Sequence, residues 1–448
     1  MKAVSLLWRF MRPYLRKSIS ATLLIAGAVM LDLAIPRLTQ RLIDQGINRQ
    51  NLDVIRTMSL SMFGCAALSA GLSVLNTILS VSVSQGVAAD LRSAIVRQVQ
   101  RFSFGNLDRL QTGQLLVRAT SDVSYVQQLV LMTMRMMVHA PLMLVGSIGL
   151  LVSNSPTLAL LVAALFPATC VILALFVAKG KPLFGQMQRR LDRLNTVLQE
   201  NLAGVRVIKA FVRAAHEAER FGSANRALTA QSTKVLKVMA WLSPAMSLAL
   251  NLTLVGVVWL GGYEVTVDGM SDGQLVAAAN YLLSAMLPIL QLKSIMGPLA
   301  SAEASAGRIL EVLETQPEVQ DRHRTSAPVA LLGRVAFENV SFSYYGAGSE
   351  PVLKDISLVA EPGERVAILG ATGSGKSTLV HLVPRFYDVT AGCITVDSID
   401  VRDLPLATLR GQIGVALQEA VLFSGSVRDN IRYGRPDASD EEVIAAAR

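Results

Sequence analysis

The sequence predicts an all-α membrane domain of six helices followed by a smaller α/β domain that binds phosphate, and three observations predict it. Long stretches carry no Asp, Glu, Lys or Arg, the intervening loops are basic on one side and acidic, uncharged or balanced on the other, and a GxxxxGK-Ser loop sits between an apolar run and a helical pattern. Of the 448 residues, 52% are hydrophobic and only 17% charged, where soluble domains carry about 25%. That balance excludes a disordered chain and argues against a wholly soluble globule. The excess of 42 Lys and Arg over 33 Asp and Glu gives a net charge of +9, which fits nucleic acid, anionic lipid or the cytoplasmic loops of a membrane protein until the charges are located.

Residues 1–17 form a leading segment with Lys2, Arg9, Arg12, Arg16 and Lys17 and no acid. The first span runs from Ser18 to about Ile43. It is apolar until Asp32, then carries Arg37 and Arg41, and Leu31–Pro36 lacks the small-x-small pattern of a cleavable signal. Asp32 within it suits a substrate cavity, a partner helix or a water-facing helix end, and Arg135 and His139 at the start of the third span share that ambiguity. Thr57–Ala89 is free of these charges, and as a helix at about 1.5 Å per residue it outruns a hydrocarbon core of about 30 Å, so it spans and protrudes. Met136–Ala178 is too long for one span, and Asn154-Ser155-Pro156 supplies a hairpin turn between the third and fourth. Val238–Tyr263 and Gly273–Leu292 give the fifth and sixth, separated by Glu264, Asp268, Gly269 and Asp272.

The loops set the orientation. Lys179–Lys237 carries twelve basic residues against Asp192, Glu200, Glu217 and Glu219, so the leading segment and the long loops at about 90–135 and 179–237 are cytoplasmic. The loop before the sixth span is acidic, the hairpin at Ser155 is uncharged, and the first outer loop balances Arg49 and Arg56 against Asp44 and Asp53. Six spans return the chain to the cytoplasm, and nucleic acid is left with nothing to explain. Cys65, Cys170 and Cys393 form no CxxC pair, and His139, His216, His323 and His381 show no ligand spacing, so no disulfide framework and no metal site built from side chains alone is expected.

Residues 18–300 thus form the membrane domain and 301–334 the connection, with a helical pattern at Ser301–Leu313 and a polar stretch at Glu318–Pro328. From 335 the chemistry is that of an α/β domain. Val335–Tyr344 alternates as a half-buried strand, and Gly346 and Gly348 mark a turn. Arg365–Leu369 reads as a short apolar strand feeding Gly370, Ala371, Thr372, Gly373, Ser374, Gly375, Lys376, Ser377 and Thr378, with a helix from Leu379. This is the phosphate loop of a P-loop NTPase in its strand-loop-helix context. The glycines let backbone N–H groups turn around phosphate oxygens at a helix N-terminus, Lys376 faces the β and γ phosphates, and the Ser377 hydroxyl suits Mg²⁺. The loop implies a nucleoside triphosphate without saying which.

With these motifs the chain resembles an ATP-binding-cassette (ABC) exporter half-transporter of the multidrug and lipid type over essentially its whole length. The resemblance implies ATP and Mg²⁺ as cofactors and adenine stacking on Tyr344, with neighbouring Tyr345 as the rival. In Val415–Phe423 it implies Gln418 as the glutamine-loop residue touching Mg²⁺ and the attacking water, and Ser426–Ile431 continues that pattern. Thr112–Val123 and Glu200–Phe211 resemble the family's two intracellular loops, whose short helices dock into nucleotide-binding domains. It further implies a second half-transporter as partner, in a homodimer or heterodimer, a hydrophobic or amphipathic substrate, surrounding membrane lipid, and residence in the plasma membrane, the inner membrane in a bacterium.

One departure carries equal weight. The pattern after Arg432-Tyr433-Gly434 runs to Arg448 without an LSGGQ signature, the second acidic strand or the switch histidine. Set against the family, residues 335–448 are the N-terminal part of a nucleotide-binding domain, and no catalytic base is assigned. ATP-driven export of an amphipathic or lipid-like substrate is the main expectation, and a half-transporter that binds ATP without hydrolysing it is the alternative.

Overall fold

The computed structural model describes residues 2–267, 269–292, 296–321, 330–346, 348–416, 418 and 421–448. Asp268 of the acidic loop and residues 322–329 of the expected connection lie outside them. The chain divides into two compact units, Met1–Gln98 with Leu115–Glu314, and Val99–Gln114 with Thr315–Arg448.

The first unit is helical throughout. Its apolar stretches lie in helices Leu15–Arg41, Leu52–Gln100, Val138–Asn154, Pro156–Ala203, Leu242–Thr266 and Asp272–Leu292. Among the described residues, four helical stretches, Leu6–Ile47, Leu52–Gln100, Thr112–Asn154 and Ala214–Thr266, are long and apolar enough to cross a membrane. The 49 residues of Leu52–Gln100 exceed the hydrocarbon thickness more than twofold at about 1.5 Å each, so this helix must project from the bilayer. At the Ser155 hairpin the serine side chain accepts from the Leu158 amide and Pro156 opens the next helix, a cap that ends one span and starts another within one residue.

Packing in this unit uses apolar knobs and small residues. Leu33, Leu151, Leu158, Val257, Tyr281 and Leu282 share one buried cluster. A Cβ on Gly146 would stand 2.3 Å from Leu33 and one on Gly261 2.5 Å from Leu275, so these glycines let helices approach where lipid supplies no hydrophobic drive. Polar groups are matched inside the bundle: Asn76 donates to the Ala21 carbonyl at 2.8 Å, and Ser69 donates to the Asp32 carboxylate at 2.6 Å. Asp32 therefore faces the second-span helix. Arg135 is exposed and His139 half-buried. The helix Met296–Glu314 is held by a carboxylate buried to 1% exposure: Asp122 accepts from Arg308 Nε and from Ser305 Oγ, each at 2.8 Å, and Arg118 pairs with Glu311 at 2.9 Å.

The second unit carries a four-stranded antiparallel sheet in the order β2-β1-β3-β4, with β1 Val335–Phe342, β2 Leu353–Ala360, β3 Ala391–Val396 and β4 Ile399–Asp400. Phe337 pairs with Leu358 on one side and Ile394 on the other. Phe337, Val340, Phe342, Ile394 and Val396 bury one face against Leu379 and Leu382 of the helix Lys376–Leu382. The sequence expectation at Arg365–Leu369 is corrected here: the segment forms no strand. A strand needs a neighbour to take its N–H and C=O groups, and among the described residues no segment pairs with it. Leu369 is 93% exposed, while Val366 and Ile368 line an apolar cavity of about 300 Å³ with Leu358, Val383, Ile413 and Val415.

Candidate nucleotide-binding site

The site is built on the turn into Lys376–Leu382. Gly373 and Gly375 hold φ of +87° and +88°, left-handed backbone that a side chain disfavours. Gly375 has a second constraint, since a Cβ there would stand 2.8 Å from Leu353 of β2. At Gly375, therefore, both conformation and space favour bare backbone. Within it the Ser374 amide donates to the Ala371 carbonyl at 3.2 Å, and the Leu379 amide to Gly375 at 2.9 Å. Lys376 reaches back across the loop, its ammonium donating to the carbonyls of Ala371 at 2.7 Å and Gly370 at 3.0 Å. Ser377 is exposed and Thr378 buried.

The structure brings Tyr344 to this loop. Its hydroxyl lies 2.9 Å from Thr378 Oγ1, and its ring meets Phe342 and Tyr387 edge to face at 4.9 and 5.3 Å. Tyr345, next in the turn, is 83% exposed against 36% for Tyr344. Gln418 sits on an exposed bend, and no hydrogen bond joins it to the loop among the described residues. A cation facing its own loop carbonyls, an exposed hydroxyl and two turn-forming glycines fit Mg²⁺-nucleotide.

A second group of residues was not foreseen. Helix Phe104–Arg109, upstream of the expected docking segment Thr112–Val123, belongs to the second unit and packs on its aromatic patch. Phe104 stacks on Phe386 at 4.2 Å, the Tyr387 hydroxyl donates to Asp108 at 2.7 Å, and Arg109 pairs with Glu318 at 3.0 Å. Asn106 caps its own helix from Ser103 and accepts from the Glu318 amide at 3.1 Å. Burial, and then the bond to Asp108, pushes the Tyr387 phenol well above its ordinary value. Residues 115–123 lie instead in the first unit, where Asp122 is committed to Arg308 and Ser305. The second loop forms the helix Val205–Ala210, followed by Phe211 and Val212 at 74% and 85% exposure.

A phosphate loop on an α/β domain, fused behind a bundle of membrane-crossing helices, defines a membrane-coupled nucleotide-binding protein. The chain belongs to the ABC transporter family, matching the ABC transporter transmembrane region over residues 18–289 and the ABC transporter domain over residues 353–448. It is 35% identical to the uncharacterized ABC transporter ATP-binding protein YfiB of Bacillus subtilis, over 98% of this chain and 76% of that protein. It is 31% identical to an ATP-dependent lipid A-core flippase of Syntrophus aciditrophicus, over 95% and 70% of the two chains. A fatty acid ABC transporter ATP-binding/permease protein of Mycobacterium bovis is 33% identical over 90% of this chain and 63% of its own length. The chain is therefore a multi-pass membrane protein that couples a transmembrane domain to a nucleotide-binding domain facing the cytoplasm.

Proposed function

We propose that this chain is one half of a two-subunit exporter that binds Mg²⁺-ATP at residues 370–378, moves an amphipathic or lipid-like substrate, and as these 448 residues alone binds ATP without hydrolysing it. The carrying observation is the loop itself, with Lys376 held on the carbonyls of Gly370 and Ala371 and two glycines, Gly373 and Gly375, in left-handed backbone. On binding, the ammonium exchanges two backbone carbonyls for phosphate oxygens, Ser377 offers its hydroxyl to Mg²⁺, and Tyr344 or Tyr345 stacks on adenine, with Gln418 as the further contact to Mg²⁺ and water. Mg²⁺, held by Ser377 and Gln418, would supply neutralisation of the phosphate charge. P-loop ATPases also need an acidic residue to hold the metal. Lys376 donates to loop carbonyls, and no Asp or Glu is assigned to the metal, so the reading is of binding without turnover.

Two observations favour the rest of the reading. The exposed apolar side chains Val207, Phe211 and Val212 on the second loop offer a docking surface for a second subunit. Relatives named for lipid A-core and fatty acids favour an amphipathic cargo. The nucleotide site is tested by titrating the purified chain with a fluorescent ATP analogue. Lys376→Ala should weaken binding at least about tenfold, the scale of a lost charge-assisted hydrogen bond. Equal affinity in the two proteins would remove the site.

A further inference from the structure

At the end of the helical bundle remote from the basic N-terminal segment lies a polar cavity of about 240 Å³, walled by the ends of helices Leu15–Arg41, Val138–Asn154 and Asp272–Leu292 and by the turn Leu42–Ile47. Arg37 and Arg41 open into it from one face of the first-span helix, with Gln40, Ser153, Gln274 and Tyr281 among the other lining residues. Arg37 is twenty residues beyond Lys17, about 30 Å along a helix, one hydrocarbon thickness. It therefore lies at the opposite membrane interface from Lys17, on the outer side, where the loops are acidic, uncharged or balanced in charge.

Two arginines on that side run against the charge bias of the chain. Among the described residues, neither has a carboxylate within ion-pair distance. The one acid in the lining, Asp44, is oriented away from an ion pair, accepting from Ser271 Oγ at 2.6 Å and from the Gly273 amide at 2.9 Å, and one carboxylate against two arginines leaves the lining net positive. That acceptance is built into the backbone, because a Cβ on Gly273 would stand 2.6 Å from the same carboxylate. Asn154 is likewise occupied, donating to the Gln274 carbonyl at 2.9 Å. What remains is a cavity with two guanidinium groups that have no ion-pair partner among the described residues and the side-chain amide of Gln40, since Gln274 Oε1 accepts from the Ser271 amide at 2.8 Å and its Nε2 donates to the Asn154 carbonyl at 3.5 Å.

We propose that this cavity binds the oxyanion head group, phosphoryl or carboxylate, of an amphiphile at the outer membrane interface. Guanidinium forks pair two-pronged with such oxyanions, and two of them separated by one helical turn can share a single head group. The cavity opens at the depth where a lipid head group resides, which leaves the acyl part in the hydrocarbon. The inference rests on the reading that the chain handles amphipathic molecules, and it concerns residues far from the phosphate loop in sequence.

The test titrates the detergent-purified full chain with short-chain phosphatidic acid, diacylglycerol of the same chain length, and inorganic phosphate. Phosphatidic acid should bind saturably, and Arg37→Gln with Arg41→Gln should weaken it at least about tenfold while diacylglycerol is unaffected. Arg37→Lys with Arg41→Lys should retain part of the affinity, and the melting temperature of each variant reports folding. Inorganic phosphate binding as tightly as phosphatidic acid, with the same arginine dependence, would support the oxyanion site and assign it to a free anion. An unchanged phosphatidic acid affinity in the folded Gln pair, or an equal loss for diacylglycerol, would overturn the proposal. ATP affinity of the wild-type chain, measured in the same preparation, separates the two readings, since its loss strikes the nucleotide site and leaves the outer cavity standing.

Discussion

Tyr344 and Tyr345 are neighbours in sequence with opposite surroundings. Tyr344 is tied to Thr378 and boxed by the edges of Phe342 and Tyr387, whereas Tyr345 is almost fully exposed. If Tyr344 is the adenine platform, Tyr344→Ala weakens ATP binding by about 1–3 kcal/mol, the worth of one base stacked on an aromatic ring, and inorganic triphosphate binding much less. Tyr345→Ala then changes neither. Calorimetric titration of both ligands decides it, and a larger ATP-specific loss in Tyr345→Ala would hand the platform to the exposed ring. The phosphate loop was legible because its requirements are local: two positive-φ glycines, a lysine and a hydroxyl follow one another in sequence. The different surroundings of the two tyrosines were not, because Tyr387, which packs on Tyr344, comes from a distant part of the chain.

At the scale of elements, hydropathy marked the membrane helices and alternation marked β1, since each pattern is written into its own residues. The segment Arg365–Leu369 has the composition of a buried strand, but composition cannot supply a pairing neighbour. The docking helix Phe104–Arg109 was hidden for a related reason. Its partners Phe386, Tyr387 and Glu318 are remote in sequence, and six residues give too short a periodic signal. The aromatic pair Phe386-Tyr387 just beyond the phosphate-loop helix was the available clue. Phe104→Ala removes a stacked ring pair, worth about 0.5–1.5 kcal/mol beyond its buried area. Amide hydrogen exchange across 103–110 should therefore accelerate roughly tenfold, with ATP affinity unaltered. Unchanged exchange would show that Asn106, Asp108 and Arg109 hold the helix without the ring.

For the whole molecule, charge placement orients the chain and the glycine-rich loop says what the cytoplasmic part does with that orientation. Single cysteines at the exposed positions Arg49 and Val267, in a background lacking Cys65, Cys170 and Cys393, should label with an impermeant thiol reagent applied to intact cells. Arg226→Cys, on the long basic loop, should stay unlabelled until the cells are opened. Labelling of Arg226→Cys from outside would break the six-span arrangement. Whether these residues hold Mg²⁺-ATP without turning it over is decided by measuring bound ATP and steady-state phosphate release together. The measurement uses the purified 448-residue chain in lipid nanodiscs with Lys376→Ala as control. Saturable binding that depends on Lys376, with phosphate release no higher than in the variant, is the predicted result. Turnover of about 1 per second, the low end of typical enzymes, that disappears in the variant would contradict it and place a base beside Ser377 that the described residues do not contain.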